Sequence, residues 1–157
     1  MRSKLVLTSL MLLLVLTSLS FKCGSGESLP PDSPYRGAAK TADDIAAAIN
    51  AMIKVKRALR NSGTLKPAEE KPLTVALMKL NSADQALVKE IKAIKSSSDA
   101  TTNKPKLCTA LAALNAALSE VNGNVTPVSD PGAKSQLATA LTTITNLLPA
   151  ITTVFAC

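Results

Sequence analysis

Apolar residues recur along most of the chain at alternating spacings of three and four, in four separate stretches. This spacing keeps apolar side chains on one face of an α-helix, so each stretch predicts an amphipathic helix. The four stripes are Ile45, Ala48, Met52, Val55 and Leu59; Leu73, Leu77, Leu80, Asp84, Leu87, Ile91 and Ile94; Leu107, Leu111, Leu114, Leu118 and Val121; and Leu137, Leu141, Ile144, Leu148, Ile151 and Phe155.

Helix-capping residues set the expected bounds of the first two helices. Thr41 with Asp44 resembles a capping box, and Gly63 suits a left-handed C-cap, so we expect the first helix over 42–62. Pro67 suits the first turn of the second helix, which should fade near Ser96, although Pro72 could delay its regular start. Asp84 interrupts the apolar stripe of this helix, and its neighbour Ala83 could fill that layer instead.

The second half of the chain has similar signals. The polar run from Ser96 to Lys104 predicts a loop, after which the third helix should continue to Gly123. Asp130 before Pro131 predicts an N-cap and first position for the fourth helix. Pro149 predicts a kink in that helix or its end near Leu148, because proline removes one backbone hydrogen bond.

Four amphipathic helices with short connections predict an all-α, antiparallel up-down four-helix bundle over residues 41–157. The core should be aliphatic, because Phe21, Tyr35 and Phe155 are the only aromatic residues and tryptophan does not occur. The length of the chain also suits a single domain with one hydrophobic core.

The N-terminal region predicts export from the cytosol. Arg2 and Lys4 precede an apolar run up to Leu19, which is typical of a cleaved signal peptide over residues 1–20. The proline- and glycine-containing stretch 21–40 predicts a flexible tether. Localisation would be secreted or extracytoplasmic; a membrane-tethered lipoprotein lipidated at Cys23 is disfavoured, because Lys22 stands directly before that cysteine.

Three cysteines in an exported chain leave one thiol unpaired in any monomer. Antiparallel third and fourth helices favour a bridge between Cys108 and Cys157. A turn centred on Pro127, however, places Cys108 opposite residues 146–147, so a bend at Pro149 would be needed to bring Cys157 back. An intermolecular bridge through Cys23 and three free thiols are the alternatives.

The residue inventory argues against catalysis. The chain has no histidine, which removes the usual neutral-pH base and most zinc sites. The adjacent acids Asp43 and Asp44, like Glu69 and Glu70, stand at predicted helix starts, where they complement the helix dipole. Asp84 is the one acid in a core register, and we expect it at a solvated edge or hydrogen-bonded within the bundle. The sequence therefore predicts no enzyme, cofactor or metal.

Charge is uneven along the chain, and this suggests two candidate contact surfaces. Residues 54–106 hold twelve basic and five acidic residues, whereas 107–157 hold only Lys134, Glu120 and Asp130. A basic group that is a candidate for contacting a membrane surface or an acidic polysaccharide comprises Lys54, Lys56, Arg57 and Arg60. A weakly polar group that is a candidate interaction face comprises Thr139, Thr142, Thr143 and Thr145. Nucleic acid is disfavoured as a partner, because stacking aromatic residues are missing.

The expected function is that of a small secreted helical-bundle protein that binds a protein partner or itself and has no catalytic activity. The alternative is a secreted carrier or surface-active protein that takes lipid or another apolar ligand between its aliphatic helices.

Overall fold

The computed structural model describes residues 34–94 and 97–157, and nearly all of them are helical. The helices are α1 (Pro34–Asn61), α2 (Pro67–Lys92), α3 (Ser97–Val125) and α4 (Pro131–Phe155), and the described ranges contain no strand. The predicted all-α class with four helices is confirmed. The predicted signal peptide, Cys23 and the tether up to residue 33 lie outside the described residues.

Each helix packs against two others: α1 contacts α2 and α4, and α3 also contacts α2 and α4. This arrangement is consistent with a helical bundle around one core. The core is aliphatic as predicted, apart from Met52 and Phe155. Its largest fully buried side chains are Ile45, Ile49, Met52, Leu73, Leu80, Leu87, Ile91, Ile94, Leu107, Leu114, Leu137 and Ile144.

Helix α1 begins at Pro34, so the expectation of a flexible tether over residues 34–40 is wrong. Ala38 and Ala42 are both buried and extend the apolar stripe toward the N-terminus, where small side chains gave a weak signal. The ring of Tyr35 also stacks on Phe155, with centroids 5.7 Å apart. Thr41 is not an N-cap, since its hydroxyl donates to the Gly37 carbonyl inside the helix.

The buried stripe of α1 is rotated relative to the predicted one. Ile49 and Lys56 are buried, whereas Ala48 and Val55 are only partly buried at the edge of the core. The sequence pattern did not predict this register, because lysine is rarely buried unless it is paired. The partner of Lys56 is Glu70, which lies on another helix.

The loop predicted up to Lys104 and the alternative that the fourth helix ends near Leu148 are both wrong, because packing outweighs the local signals. Helix α3 begins at Ser97 and passes Pro105, and buried Ala100 ties its first turns to the core. Helix α4 continues past Pro149 to Phe155, because Ile151 and Phe155 remain buried while Pro149 faces outward. The predicted start of α2 at Pro67 is confirmed, with Pro72 inside the helix, whereas α3 runs beyond the expected Gly123 to Val125.

The predicted caps at Gly63 and Asp130 are confirmed. Gly63 has φ of 72°, and beyond it the Leu65 amide donates to the Leu59 carbonyl over 3.1 Å. The Asp130 side chain accepts a 2.7 Å hydrogen bond from the Ala133 amide at the start of α4.

Candidate functional site

The outer surface of α3 and α4 carries a group of exposed, uncharged side chains that we call the neutral face. Its members are Asn115, Ser119 and Asn122 on α3, and Thr139, Thr142, Thr143 and Thr145 on α4. The four threonines are those that the sequence predicted as an interaction face, and the structure places all four on the surface. The asparagines and the serine were missed, although they recur on the polar side of the α3 stripe at helical spacing.

The threonine hydroxyls of the neutral face are hydrogen-bonded within their own helix. Thr139 and Thr142 donate to the carbonyls of Ser135 and Ala138, both over 2.9 Å. Thr143 and Thr145 make the same bond to the carbonyls four residues earlier, over 3.1 Å. Because each of these hydroxyl hydrogens is used internally, the four threonines offer methyl groups and oxygen lone pairs rather than O–H donors.

A shallow groove runs along the neutral face between α3 and α4. Leu118 and Leu141, which are 6% and 8% exposed, form its apolar floor. Polar side chains form its sides: Asn115, Ser119, Asn122, Thr142 and Thr145. The groove therefore combines apolar contact with amide donors, which come from α3, and oxygen acceptors, which come from both helices.

Helix α4 is apolar along its length and is only partly covered by the other helices. Its most apolar 18-residue window has a mean hydropathy of 1.4, and 28% of that window is buried. By length and composition this is the one helix of the described residues that could cross a membrane. Lys134 is its only charged residue, and the Lys134 ammonium donates to the Thr126 carbonyl at the start of the helix.

The neutral face is held at both ends. Cys108 of α3 and Cys157, just past α4, form a disulfide with sulfur atoms 2.03 Å apart. Since α3 residues 115–122 share a groove with α4 residues 141–145, the register lies further along α4 than a turn centred on Pro127 implies. The chain also turns back at Ala156, which has φ of 50°. These two features bring Cys157 to Cys108 while the helix continues through Pro149.

At the other end, the connection between α3 and α4 is tied to the start of α2 by Glu69. Its carboxylate accepts hydrogen bonds from the Ser129 amide over 2.9 Å and from the Lys66 amide over 3.0 Å. Hydrogen bonding with the Ser129 side chain lowers the pKa of Glu69 most, and the hydrogen bonds from the Lys66 and Ser129 amides lower it further. Asp130 then caps α4 one residue later, so the connection has two carboxylate anchors.

The structure separates the four residues that the sequence grouped as polyanion contacts. Lys54 and Arg57 are exposed, but Lys56 is buried with its ammonium 3.0 Å from the Glu70 carboxylate. Arg60 also approaches Glu70, at 3.4 Å. Lys56 is therefore turned inward as a link between α1 and α2, and the exposed basic surface at this position is smaller than the sequence implies.

Asp84 itself occupies the core layer of α2. The expectation that Ala83 fills this layer instead is therefore wrong. Asp84 is 2% exposed, whereas Ala83 is only partly buried. The expected solvated edge is not found, and among the described residues the Oδ1 atom of Asp84 has no hydrogen-bond partner. Burial raises the pKa of Asp84 to about 6, and the negative charge of Asp43 contributes further.

Residues 34–94 and 97–157 contain no group of three or more potential metal ligands. Comparisons of the chain with protein-family models, with curated proteins and with solved structures found no match.

Proposed function

We propose that this chain is a secreted, non-catalytic interaction protein that binds a protein partner, or a second copy of itself, through the neutral face. The observation that carries the proposal is the absence of charge and of free threonine O–H groups on this exposed surface. Covering such a surface removes few strongly hydrated groups from water, so association there has a low desolvation cost. Residues 1–20 would act as the signal peptide that exports the chain.

The proposal includes an antiparallel up-down order of the helices, which the ion pairs support. Lys56 near the end of α1 pairs with Glu70 near the start of α2. At the other end of α2, Lys92 lies 3.4 Å from Asp43, which stands in the first half of α1. In this order, α3 and α4 are neighbours whose outer surfaces form one continuous face, while most basic residues stand on α1 and α2.

A single charge placed on the neutral face tests the proposal. Thr142→Lys adds a hydrated ammonium beside the groove, whereas Thr102→Lys makes the same change on an exposed turn of α3 that already lies near Lys104. Both threonines donate to the carbonyl four residues earlier, so the loss of helix hydrogen bonding is matched. We expect wild type and Thr102→Lys to associate equally in sedimentation velocity or with an isolated protein partner, and Thr142→Lys to associate at least about tenfold more weakly.

Two results would contradict the proposal. One is a protein that stays monomeric at every concentration and retains no partner from the fluid into which it is secreted. The other is association that Thr142→Lys and Thr102→Lys weaken to the same extent, because the effect would then come from net charge rather than from the face.

A second candidate function is that of a carrier or surface-active protein for lipid, and it is favoured by the low burial of apolar α4. Neutral phosphatidylcholine vesicles and a free fatty acid are suitable probes. Vesicle co-sedimentation, or fatty acid retained in native mass spectrometry, would favour this function if Thr142→Lys abolishes it. Binding only to anionic vesicles would point instead to the basic residues of α1 and α2.

A further inference from the structure

Asp84 stands in the middle of the apolar stripe of α2, between buried leucines. Leu80 and Leu87, one turn away on either side, are fully buried. Asp84 itself is 2% exposed, and its Oδ1 atom has no partner within the part of the chain that the structure describes. An ionised carboxylate in such a layer loses its hydration and gains nothing in return.

The charges around Asp84 increase this cost. Asp43 on α1 is the charged group that acts on it, and its like charge disfavours ionisation of Asp84. Lys92, also on α2, pairs with Asp43 at 3.4 Å, so it is directed to Asp43 rather than to Asp84. Among the described residues, α3 and α4 contribute no charge that acts on Asp84.

We infer that the bundle contains a proton-linked opening centred on Asp84: the protonated side chain keeps α2 packed in the core, and its ionisation favours a local opening that hydrates the carboxylate. The opening exposes the core side of α2 around Leu80 and Leu87. It is a property of the α1–α2 side of the molecule and is separate from the neutral face on α3 and α4.

The direction of the pH dependence follows from the two states. The pKa of Asp84 is about 6 when it is buried, against 3.8 for an ordinary aspartate, so the closed state binds a proton more tightly than the open state. Acid therefore favours the closed state. The open population should rise as the pH increases from about 4 to about 6 and level off above that, by about 100-fold in total.

Hydrogen exchange on the full mature protein tests this inference. Protection factors, which correct for the intrinsic pH dependence of exchange, are measured for the amides of residues 80–88 at several pH values between about 4 and about 7. We expect them to fall by tens of fold in wild type and to stay nearly constant in Asp84→Asn. Asp44→Asn makes the same chemical change at a half-buried acid of α1 and should retain the wild-type pH dependence.

Flat protection factors in wild type, or a wild-type slope that persists in Asp84→Asn, would overturn the inference. A second measurement needs no substitution: the carboxyl carbon of Asp84 is titrated by NMR in wild type. A midpoint clearly above the ordinary aspartate range supports the opening, and a midpoint at the ordinary value overturns it even if Asp84→Asn fails to fold.

Discussion

The ammonium of Lys56 lies 3.0 Å from a carboxylate oxygen of Glu70, and this ion pair joins α1 to α2 at a mostly buried position. The two side chains are 9% and 18% exposed, so both charges are largely removed from water. Arg60 approaches the other oxygen of the same carboxylate at 3.4 Å. Glu70 thus pairs with a lysine that stands in the core stripe of α1, at a position where an aliphatic residue would be expected.

We predict that Glu70→Gln destabilises the fold, because it leaves the Lys56 ammonium buried without an opposite charge. The expected loss is about 2 kcal/mol in the free energy of unfolding, below the value for a fully buried pair because both side chains retain some exposure. Urea denaturation measures it.

The matched variant Lys56→Met keeps the aliphatic stem and removes the charge, so it should cost less than Glu70→Gln. The double variant should recover most of the loss. Additive effects of the two substitutions would show that the ion pair is not coupled and would contradict this account.

The disulfide between Cys108 and Cys157 should make a large contribution to stability. It closes a loop with a sequence separation of 49 residues, which restricts the unfolded chain. Replacing both cysteines by serine should lower the free energy of unfolding by about 2 to 4 kcal/mol. Cys23→Ser is the control and should leave the urea midpoint unchanged; a similar loss in that variant would show that a different pair of cysteines is bonded.

Asp84→Leu should stabilise the protein at neutral pH, contrary to the usual effect of substituting a core residue. Because the folded-state pKa of Asp84 is raised to about 6, this residue opposes folding above that pH and ceases to do so as the pH falls toward 3.8. The gain should approach about 3 kcal/mol near pH 7 and shrink strongly near pH 4. Thermal unfolding at the two pH values measures it, and a gain that does not depend on pH would show that ionisation is not the cause.

Asp130 should be important for the start of α4, since its side chain accepts the Ala133 amide over 2.7 Å. Asp130→Ala leaves that donor without its cap and should cost about 1 kcal/mol, while Asp130→Ser retains an acceptor and should cost only a few tenths. Guanidinium denaturation distinguishes the two variants. Equal losses would mean that the charge near the helix dipole, rather than the cap hydrogen bond, provides the stabilisation.

The sequence by itself determined the all-α class, the number of helices and most of the core. The stripes from Leu73 to Ile94, Leu107 to Val121 and Leu137 to Phe155 are buried as predicted, because helical periodicity is a local property that survives any arrangement of the helices. The caps at Gly63 and Asp130 were predictable for the same reason, since each depends on residues close in the chain.

Only the tertiary structure decided where packing overrides the local sequence signals for helix ends. Helix α1 extends to Pro34 because Tyr35 meets Phe155 far away in the chain, and α4 passes Pro149 because its following turns are buried. The inward position of Lys56, the unpartnered Asp84 and the grouping of Asn115 with Thr142 depend equally on contacts between helices. Periodicity predicts which face of a helix is apolar, but what a polar side chain on that helix meets is decided by the residues of its neighbours.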